Sequence, residues 1–298
     1  MLNKECCGYV VIVGRPNVGK STLLNHLLGQ KLSITSRKPQ TTRHRLLGIK
    51  TSGNTQIIFV DTPGLHQRQH NAMNRYLNRA ATSSLVGVDV IVWLVEVRLW
   101  TDEDFYVLDA LAPTAVPVIL GVNKIDKLSN KKVLLPELQT LATRRDFAEI
   151  FPLSARNGDN LPELEAKINQ LLPQRPWLFP ADQIADRSER FLASEIVREK
   201  LVRRLGAELP YRLTVQIENF DSQKELTRIS ALIWVERPGQ KAIVIGAKGS
   251  MLKAVGEEAR KDIEIMLGCK VFLQLWVKVK QGWCDDELAL RQLGFGED

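Results

Sequence analysis

The segment Gly14–Thr22 limits what this chain can fold into more than any other stretch, because it fits the pattern G-x-x-x-x-G-K-[ST]. Glycines in such a loop let backbone N–H groups converge on phosphates, while the lysine reaches the β/γ-phosphates and the serine hydroxyl binds Mg²⁺. A β-branched run precedes the loop and leucines at helical spacing follow it, so a strand, a phosphate loop and a helix are predicted. The predicted nucleotide-binding residues here are Gly14, Arg15, Pro16, Asn17, Val18, Gly19, Lys20, Ser21 and Thr22, with Ser21 as a metal ligand.

Length and composition indicate an ordinary globular protein with about two domains, since the 298 residues are 44% hydrophobic and 25% charged. The longest apolar run, residues 90–95, is too short to span a bilayer, and the N-terminus has Lys4 and Glu5 in place of a signal sequence. The four cysteines lack metal-ligand spacing. We therefore expect a cytoplasmic protein with reduced thiols.

The net charge of +7 is unevenly distributed along the chain. Residues 1–179 contain 22 Lys+Arg and 15 Asp+Glu, whereas residues 180–298 contain 19 of each. The whole excess therefore lies in the first part. An RNA-binding role for the second part must rest on local basic patches and not on the overall charge.

The polar, basic segment 30–48 has two interpretations: a solvated loop, or a nucleotide switch that supplies a second hydroxyl to Mg²⁺. We choose Thr42 over Thr41 as that ligand. A strand predicted at residues 56–60 ends in a D-x-x-G motif, whose aspartate can hold Mg²⁺ and whose glycine N–H can sense the γ-phosphate. The motif residues are Asp61, Thr62, Pro63 and Gly64, with Asp61 as a metal ligand.

Two later motifs predict that the base is guanine. A buried run at residues 116–122 ends in Asn123, Lys124, Ile125 and Asp126. The Asp126 carboxylate can accept hydrogen bonds from guanine N1–H and the exocyclic amine; adenine offers neither donor in that arrangement. We expect Asn123 and Lys124 to brace the loop. After a short strand at residues 149–152 come Ser154, Ala155 and Arg156, and the Ala155 N–H is expected to contact the guanine carbonyl oxygen.

Strands alternate with helices up to residue 172, with further helices predicted at 102–111, 133–145 and 161–172 and a strand at 88–95. This alternation is typical of a doubly wound α/β fold with a mainly parallel sheet. Each motif follows a predicted strand, where ligand loops gather in such folds. The predicted organisation is a GTPase domain at 1–172, a proline-rich linker at 173–187 and a second domain at 188–298.

In the second domain the sequence predicts a helix capped by Ser188 and two antiparallel strands at 212–220 and 228–235. It further predicts a helix at 250–267 and a strand at 270–279. The β-branched composition of residues 242–245 favours a further strand. A GXXG loop follows, of the kind with which KH domains clamp a nucleic-acid backbone. The candidate RNA-binding residues are the loop, Gly246, Ala247, Lys248 and Gly249, and the neighbouring Lys241 and Lys253.

With these motifs in this order, nearly the whole chain resembles the Era family, bacterial KH-domain GTPases among the TrmE-Era-EngA-like proteins. The sequences at 206–211 and 276–280 also resemble that family. The chain departs from it at Arg156, where lysine is usual, in a short connection at 221–227, and in a polar tail after Lys280 whose role stays open. Two rival hypotheses remain: a GTPase of tRNA modification, and an RNA-binding module with a structural nucleotide.

The resemblance implies more than the residues themselves indicate. It implies a type II KH domain of α+β class, in which 241–245 is a short helix. It implies binding of GTP/GDP with Mg²⁺, binding of 16S ribosomal RNA near its 3′ end, and a role in assembly of the 30S ribosomal subunit. It also implies peripheral association with the inner face of the inner membrane. We expect a monomer.

We expect GTP hydrolysis to depend on positioning and electrostatics, with Lys20, Asn17, Thr42 and Gly64 as the catalytic residues. Leu65 follows the D-x-x-G motif at the place where small signalling GTPases carry a water-orienting glutamine. An apolar side chain cannot orient water, so slow intrinsic turnover is predicted. Asn17 resembles the asparagine that coordinates K⁺ in related GTPases, which makes K⁺ a candidate cofactor.

Overall fold

A computed structural model describes residues 5–36, 38, 41–64, 72–206, 208–223, 225–293 and 295. Contacts divide the chain into two compact units. The first comprises most of the chain up to Asp186, and the second comprises Arg187 onward together with Ser36–Thr41 and His70–Tyr76. Leu65, which the sequence places at the water-orienting position, lies outside the described residues.

The first unit is built around a six-stranded sheet whose order is β2-β3-β1-β4-β5-β6. All neighbours are parallel except β2 and β3, which are antiparallel. The strands are β1 (Cys6–Val13), β2 (Leu46–Ser52), β3 (Thr55–Asp61), β4 (Val90–Glu96), β5 (Val118–Asn123) and β6 (Glu149–Pro152). The helices are α1 (Lys20–Leu28), α2 (Ala72–Ser83, which belongs to this unit from Leu77 onward), α3 (Asp102–Leu111), α4 (Leu134–Ala142) and α5 (Leu161–Leu171).

Both faces of this sheet are buried, which explains its continuous apolar strands. Alternate residues of β1 belong to different cores: Val11 and Val13 pack on one face, and Val10 and Ile12 pack on the other. A parallel sheet covered by helices on both sides requires such strands. The doubly wound fold predicted from the alternation of elements is confirmed.

The second unit contains a three-stranded sheet of order β7-β8-β9, with β7 antiparallel and β9 parallel to β8. Its strands are β7 (Leu213–Ser222), β8 (Leu226–Val235) and β9 (Lys270–Val279). Its helices are α6 (Glu189–Arg204), α7 (Pro238–Ile245), α8 (Ser250–Leu267) and α9 (Glu287–Gln292). The predicted cap of α6 is present, since the Ser188 hydroxyl accepts a hydrogen bond from the Phe191 N–H.

The strand predicted from the composition of residues 242–245 is wrong, and the helix implied by the family resemblance is present as α7. Pro238 lies in the first turn, where a missing N–H costs nothing, and the Gln240 side chain accepts hydrogen bonds from the N–H groups of Glu236 and Arg237. Only Val244 of this helix is fully buried. The start signals of the helix therefore outweigh its β-branched composition.

The proline-rich segment 173–186 is held by hydrogen bonds to residues of strands β2 and β3. Gln56, which is fully buried, donates to the Phe179 carbonyl and accepts from the N–H groups of Leu178 and Phe179. The Ile49 N–H donates to the Ile184 carbonyl at 2.8 Å. Backbone hydrogen bonds along an otherwise open sheet edge hold the segment in place.

Candidate nucleotide and RNA sites

The phosphate loop is the tight turn that the sequence predicts between β1 and α1. Gly14 and Gly19 have backbone φ values of 146° and 110°, which residues with a side chain rarely adopt. A Cβ on Gly14 would lie 2.5 Å from the Leu94 carbonyl oxygen, and one on Gly19 would lie 2.4 Å from Nδ2 of Asn123. Backbone and side chains of neighbouring strand ends thus approach the loop too closely for any residue but glycine.

Lys20 lies at the start of α1 and is buried. Its Nζ donates to the carbonyl oxygens of Gly14 (3.0 Å) and Arg15 (3.1 Å), so the ammonium is held inside the curve of the loop. Burial lowers the pKa of Lys20 to about 8, and the nearby Asp61 carboxylate offsets part of that effect. A phosphate bound in the loop would place a negative charge beside the Lys20 ammonium group and so favour its protonated form.

Three predicted metal ligands converge at the ends of α1 and β3. The Ser21 and Thr42 hydroxyls are 2.9 Å apart, and they lie 3.3 and 3.4 Å from Oδ2 of Asp61. Oδ1 of Asp61 is buried and has no hydrogen-bond partner among the described residues. Burial raises the pKa of this carboxyl, although hydrogen bonds from Ser33, Ser21 and Thr42 counteract the rise.

This cluster fits Mg²⁺, because hydroxyl and carboxylate oxygens suit a small hard cation that takes its remaining ligands from phosphates and water. The buried Oδ1 without a partner is the oxygen that such an ion would satisfy. Among the described residues no group of three or more His, Cys, Asp or Glu side chains could hold a metal. A site built from one carboxylate and two hydroxyls is consistent with that result.

The second and fourth residues of the D-x-x-G motif, Thr62 and Gly64, are also held by close contacts. The Thr62 hydroxyl donates to the Ile12 carbonyl at 3.2 Å. A Cβ on Gly64 would lie 2.9 Å from the Pro16 nitrogen and 3.0 Å from Nζ of Lys20. The structure therefore brings Gly64 against the phosphate loop, where its N–H is expected to sense the γ-phosphate.

Asn123 joins the phosphate loop to the two base motifs. Its Nδ2 donates to the Val18 carbonyl at 2.7 Å, and its Oδ1 accepts from the N–H groups of Lys124 and Ala155 at 2.7 and 2.9 Å. The sequence predicts that the Ala155 N–H contacts guanine, whereas in the structure this donor is engaged by Asn123. Guanine would have to share or replace that hydrogen bond.

Asp126 is exposed on the turn after β5, and its Oδ1 accepts a 2.7 Å hydrogen bond from the Ser154 hydroxyl. That bond fixes the orientation of the carboxylate predicted to accept hydrogen bonds from guanine. Lys124 spans the site, since Nζ donates to the Asn17 carbonyl at 2.8 Å. Arg156 is exposed, and the expectation that arginine in place of lysine matters little here stays a prediction.

Sequence reasoning missed two residues at this site. Ser33, which is buried, donates a 2.5 Å hydrogen bond to Oδ2 of Asp61. Glu96, the last residue of β4, contacts Arg15, Lys124 and Lys127. Its place at the carboxyl end of a parallel strand was a usable signal, whereas nothing distinguishes Ser33 from other serines in a polar loop.

In the second unit the GXXG loop forms the turn between α7 and α8. Gly246, Lys248 and Gly249 have φ values of 74°, 50° and 79°, so three of the four residues have a positive φ, and Lys248 and Gly249 are left-handed. Ala247, Lys248, Lys241 and Lys253 are exposed. Exposed glycine backbone and lysine ammonium groups are groups that a nucleic-acid phosphate can contact.

Comparisons with known proteins match both domains of the chain. The model of the 50S ribosome-binding GTPase family matches residues 9–124, and a KH-domain model matches residues 208–284. GTPase Era of Marinobacter nauticus is 58% identical over 98% of this chain and 95% of its own length; that of Pseudomonas putida F1 is 57% identical over 99% and 98%.

Solved structures extend the agreement to three dimensions. A crystal structure of Era with MgGDPNP and nucleotides 1506–1542 of 16S ribosomal RNA has a TM-score of 0.95 at 40% identity, and covers 98% of this chain and 100% of that one. Aquifex aeolicus Era bound to GDP and AlF4⁻ has a TM-score of 0.94 at 39% identity, with the same coverage. Family models, relatives of nearly full length and whole-chain structural similarity together show that the chain belongs to the Era family of GTPases.

Proposed function

We propose that this chain is a GTP-driven switch that binds small-subunit ribosomal RNA near its 3′ end and assists assembly of the 30S subunit. The position of Thr42 carries the switch part of the proposal. Its hydroxyl lies 2.9 Å from that of Ser21 and 3.4 Å from Asp61, although it comes from the polar segment before β2. A nucleotide-bound metal would thus tie that segment to the phosphate loop, and loss of the γ-phosphate would release it.

In the proposed hydrolysis, Lys20 and the loop N–H groups hold the phosphates and neutralise their charge, and the Gly64 N–H contacts the γ-phosphate. Bound Mg²⁺, held by Ser21, Thr42 and Asp61, would supply further charge neutralisation. We expect Lys20→Ala to abolish GTP turnover, and the exposed Lys132→Ala to leave it unchanged. Turnover that survives in the Lys20 variant would mean that the phosphate loop is not the catalytic site.

K⁺ is proposed as an activator through Asn17, whose φ of 65° places it in a strained turn of the phosphate loop. Turnover should be faster in K⁺ than in Na⁺, and Asn17→Ala should remove the difference. Equal rates in the two salts for the unmodified protein would reject this part of the proposal. The nucleotide site itself would be unaffected by that result.

RNA binding is proposed for the GXXG loop and the exposed Lys241 and Lys253. The probe is an RNA that corresponds to nucleotides 1506–1542 of the solved complex. Lys248→Glu should weaken binding at least tenfold, because it places a negative charge against phosphates. Lys270→Glu is the matched control, since this exposed lysine lies beyond the other end of α8, an 18-residue helix. Equal losses in both variants would indicate only a general charge effect.

The switch predicts that affinity for this RNA differs between protein loaded with GDP and protein loaded with a non-hydrolysable GTP analogue. Equal affinities would reject the coupling but not RNA binding. For the assembly role, cells that rely on Lys248→Glu should accumulate unprocessed small-subunit RNA, whereas cells that rely on Lys270→Glu should not.

Two further parts of the proposal concern the state of the protein in the cell. No helix among the described residues is long and apolar enough to cross a membrane. The peripheral association with the inner membrane predicted from the family resemblance is tested by co-sedimentation with anionic vesicles, and the predicted monomer by analytical ultracentrifugation. A pellet without protein, or a dimer at micromolar concentration, would reject the respective prediction.

A further inference from the structure

Two carboxylates outside the predicted nucleotide-binding residues, Asp104 and Glu96, bind Arg15 of the phosphate loop. Nε of Arg15 donates to Oδ2 of Asp104 at 3.2 Å, and Nη2 lies 3.4 Å from Oε2 of Glu96. The Asp104 side chain is fully buried, and the Arg15 and Glu96 side chains are only 10% and 12% exposed. Arg15 therefore does not face solvent as a loop arginine usually does.

Asp104 is fixed from its own side by the start of α3. Its Oδ2 accepts hydrogen bonds of 3.0 Å from both the N–H and the hydroxyl of Thr101. This is a capping arrangement, in which the Asp104 carboxylate accepts a hydrogen bond from the N–H of the N-cap residue Thr101. The carboxylate that holds Arg15 is thus part of a rigid helix terminus.

Glu96 also binds two lysines that flank the predicted guanine acceptor Asp126 in the chain. Its Oε2 accepts from Nζ of Lys124 at 2.7 Å, and its Oε1 accepts from Nζ of Lys127 at 2.8 Å. Burial alone would raise the pKa of Glu96, but the hydrogen bonds from Lys124 and Lys127 hold it below its usual value. The carboxylate is therefore ionised at neutral pH, with three cationic groups around it.

The two lysines flank Asp126, the predicted guanine acceptor, and Lys124 reaches the Asn17 carbonyl of the phosphate loop. We propose that Glu96 is a positioning residue for the nucleotide, which ties the phosphate loop through Arg15 to the guanine loop through Lys124 and Lys127. Without its charge, Arg15 would keep only Asp104 as an acidic partner and the two lysines would lose theirs, so one of the ties between the two loops would be lost.

The test is the release rate of a fluorescent GDP from the full chain. Glu96→Gln keeps the shape of the side chain and removes its charge, and release should accelerate about tenfold. Glu96→Asp, which keeps the charge but is shorter, should restore part of the wild-type rate, as a positioning role requires. Glu165→Gln is the matched control, because Glu165 forms an ion pair with Lys50 in the same unit, with side chains 24% and 28% exposed.

Release rates within twofold of wild type in both Glu96 variants would overturn the proposal. A variant that does not fold is recognised by its thermal unfolding, and Lys127→Gln then carries the test, because this side chain is 60% exposed. It should release GDP about two to three times faster, and an unchanged rate would count against Glu96. The inference rests on the nucleotide site proposed above, whose own failure would differ: wild-type protein would not bind GDP.

Discussion

The hydroxyl of Ser33 donates a 2.5 Å hydrogen bond to Oδ2 of Asp61, and both side chains are buried. Asn25 of α1 holds the serine in place, since its Oδ1 accepts from the Leu32 and Ser33 N–H groups at 2.9 and 2.8 Å. The bond engages one oxygen of the carboxylate and leaves Oδ1 for a metal. A residue outside every recognised motif thus orients the predicted magnesium ligand.

Ser33→Ala should therefore weaken Mg²⁺ binding. Loss of a hydrogen bond to a charged group costs about 1.5–3 kcal/mol, and part of that cost should appear as a roughly threefold to tenfold higher Mg²⁺ requirement for GTP turnover. Ser84→Ala is the control, because this buried serine bonds only the Ala80 carbonyl in α2. An unchanged magnesium titration for the Ser33 variant would show that the bond does not orient the ligand.

Nucleotide affinity should depend on pH through Lys20, whose pKa is lowered to about 8 by burial. Phosphate binding favours the charged form, so GDP affinity should fall by up to about tenfold for each pH unit above 8. Lys20→Met should bind weakly and lose this dependence. Both proteins are compared between pH 7 and 9. The ionisation of guanine affects both in the same way, so the difference between them reports on Lys20.

The same lysine predicts an opposite trend for stability without nucleotide. In the folded state Lys20 loses its proton near pH 8, whereas in the unfolded state it does so near its ordinary value of 10.5. The unfolded state thus binds more protons between these values, and the free energy of unfolding should rise with pH across that window. Denaturant titrations of wild type and Lys20→Met at pH 8 and 10 would contradict this if both changed equally.

The two glycines of the GXXG loop should respond differently to alanine. A Cβ on Gly246 would lie 2.7 Å from the Met251 Cβ, whereas one on Gly249 would meet nothing within 4 Å. We expect Gly249→Ala to cost about 1 kcal/mol, from its positive φ alone, and Gly246→Ala to cost clearly more. Hydrogen exchange of α8 peptides in the full chain measures both, and equal protection would refute the difference.

Gln56→Leu should release the segment that follows α5. The substitution leaves the Leu178 and Phe179 N–H groups and the Phe179 carbonyl without the side-chain partner they have now, and unfolding should become easier by about 2–4 kcal/mol. Limited proteolysis should then cut within residues 173–186. The exposed Gln139→Leu is the control. Equal resistance to proteolysis in both variants would show that Gln56 does not hold the predicted linker at 173–187 in place.

Much of the fold was predictable because its signals are local. The bounds predicted for α3, α8 and β9 agree with the structure, since apolar spacing and flanking residues specify each of them. The strand β2 was not predicted, because it follows directly on a basic segment and contains Gly48, a residue type that is uncommon in strands. The helix α2 was missed because its sequence is mostly polar and small.

The sequence by itself determined the chemistry of the nucleotide and RNA loops, because a phosphate loop, a guanine carboxylate and a GXXG turn each depend on residue types at fixed local spacing. Only the tertiary structure decided which distant groups support them. Ser33 reaches Asp61 across 28 positions, and Glu96 reaches Arg15 across 81. Such contacts arise when parallel strands end side by side, and no local pattern in the chain records which side chains then meet.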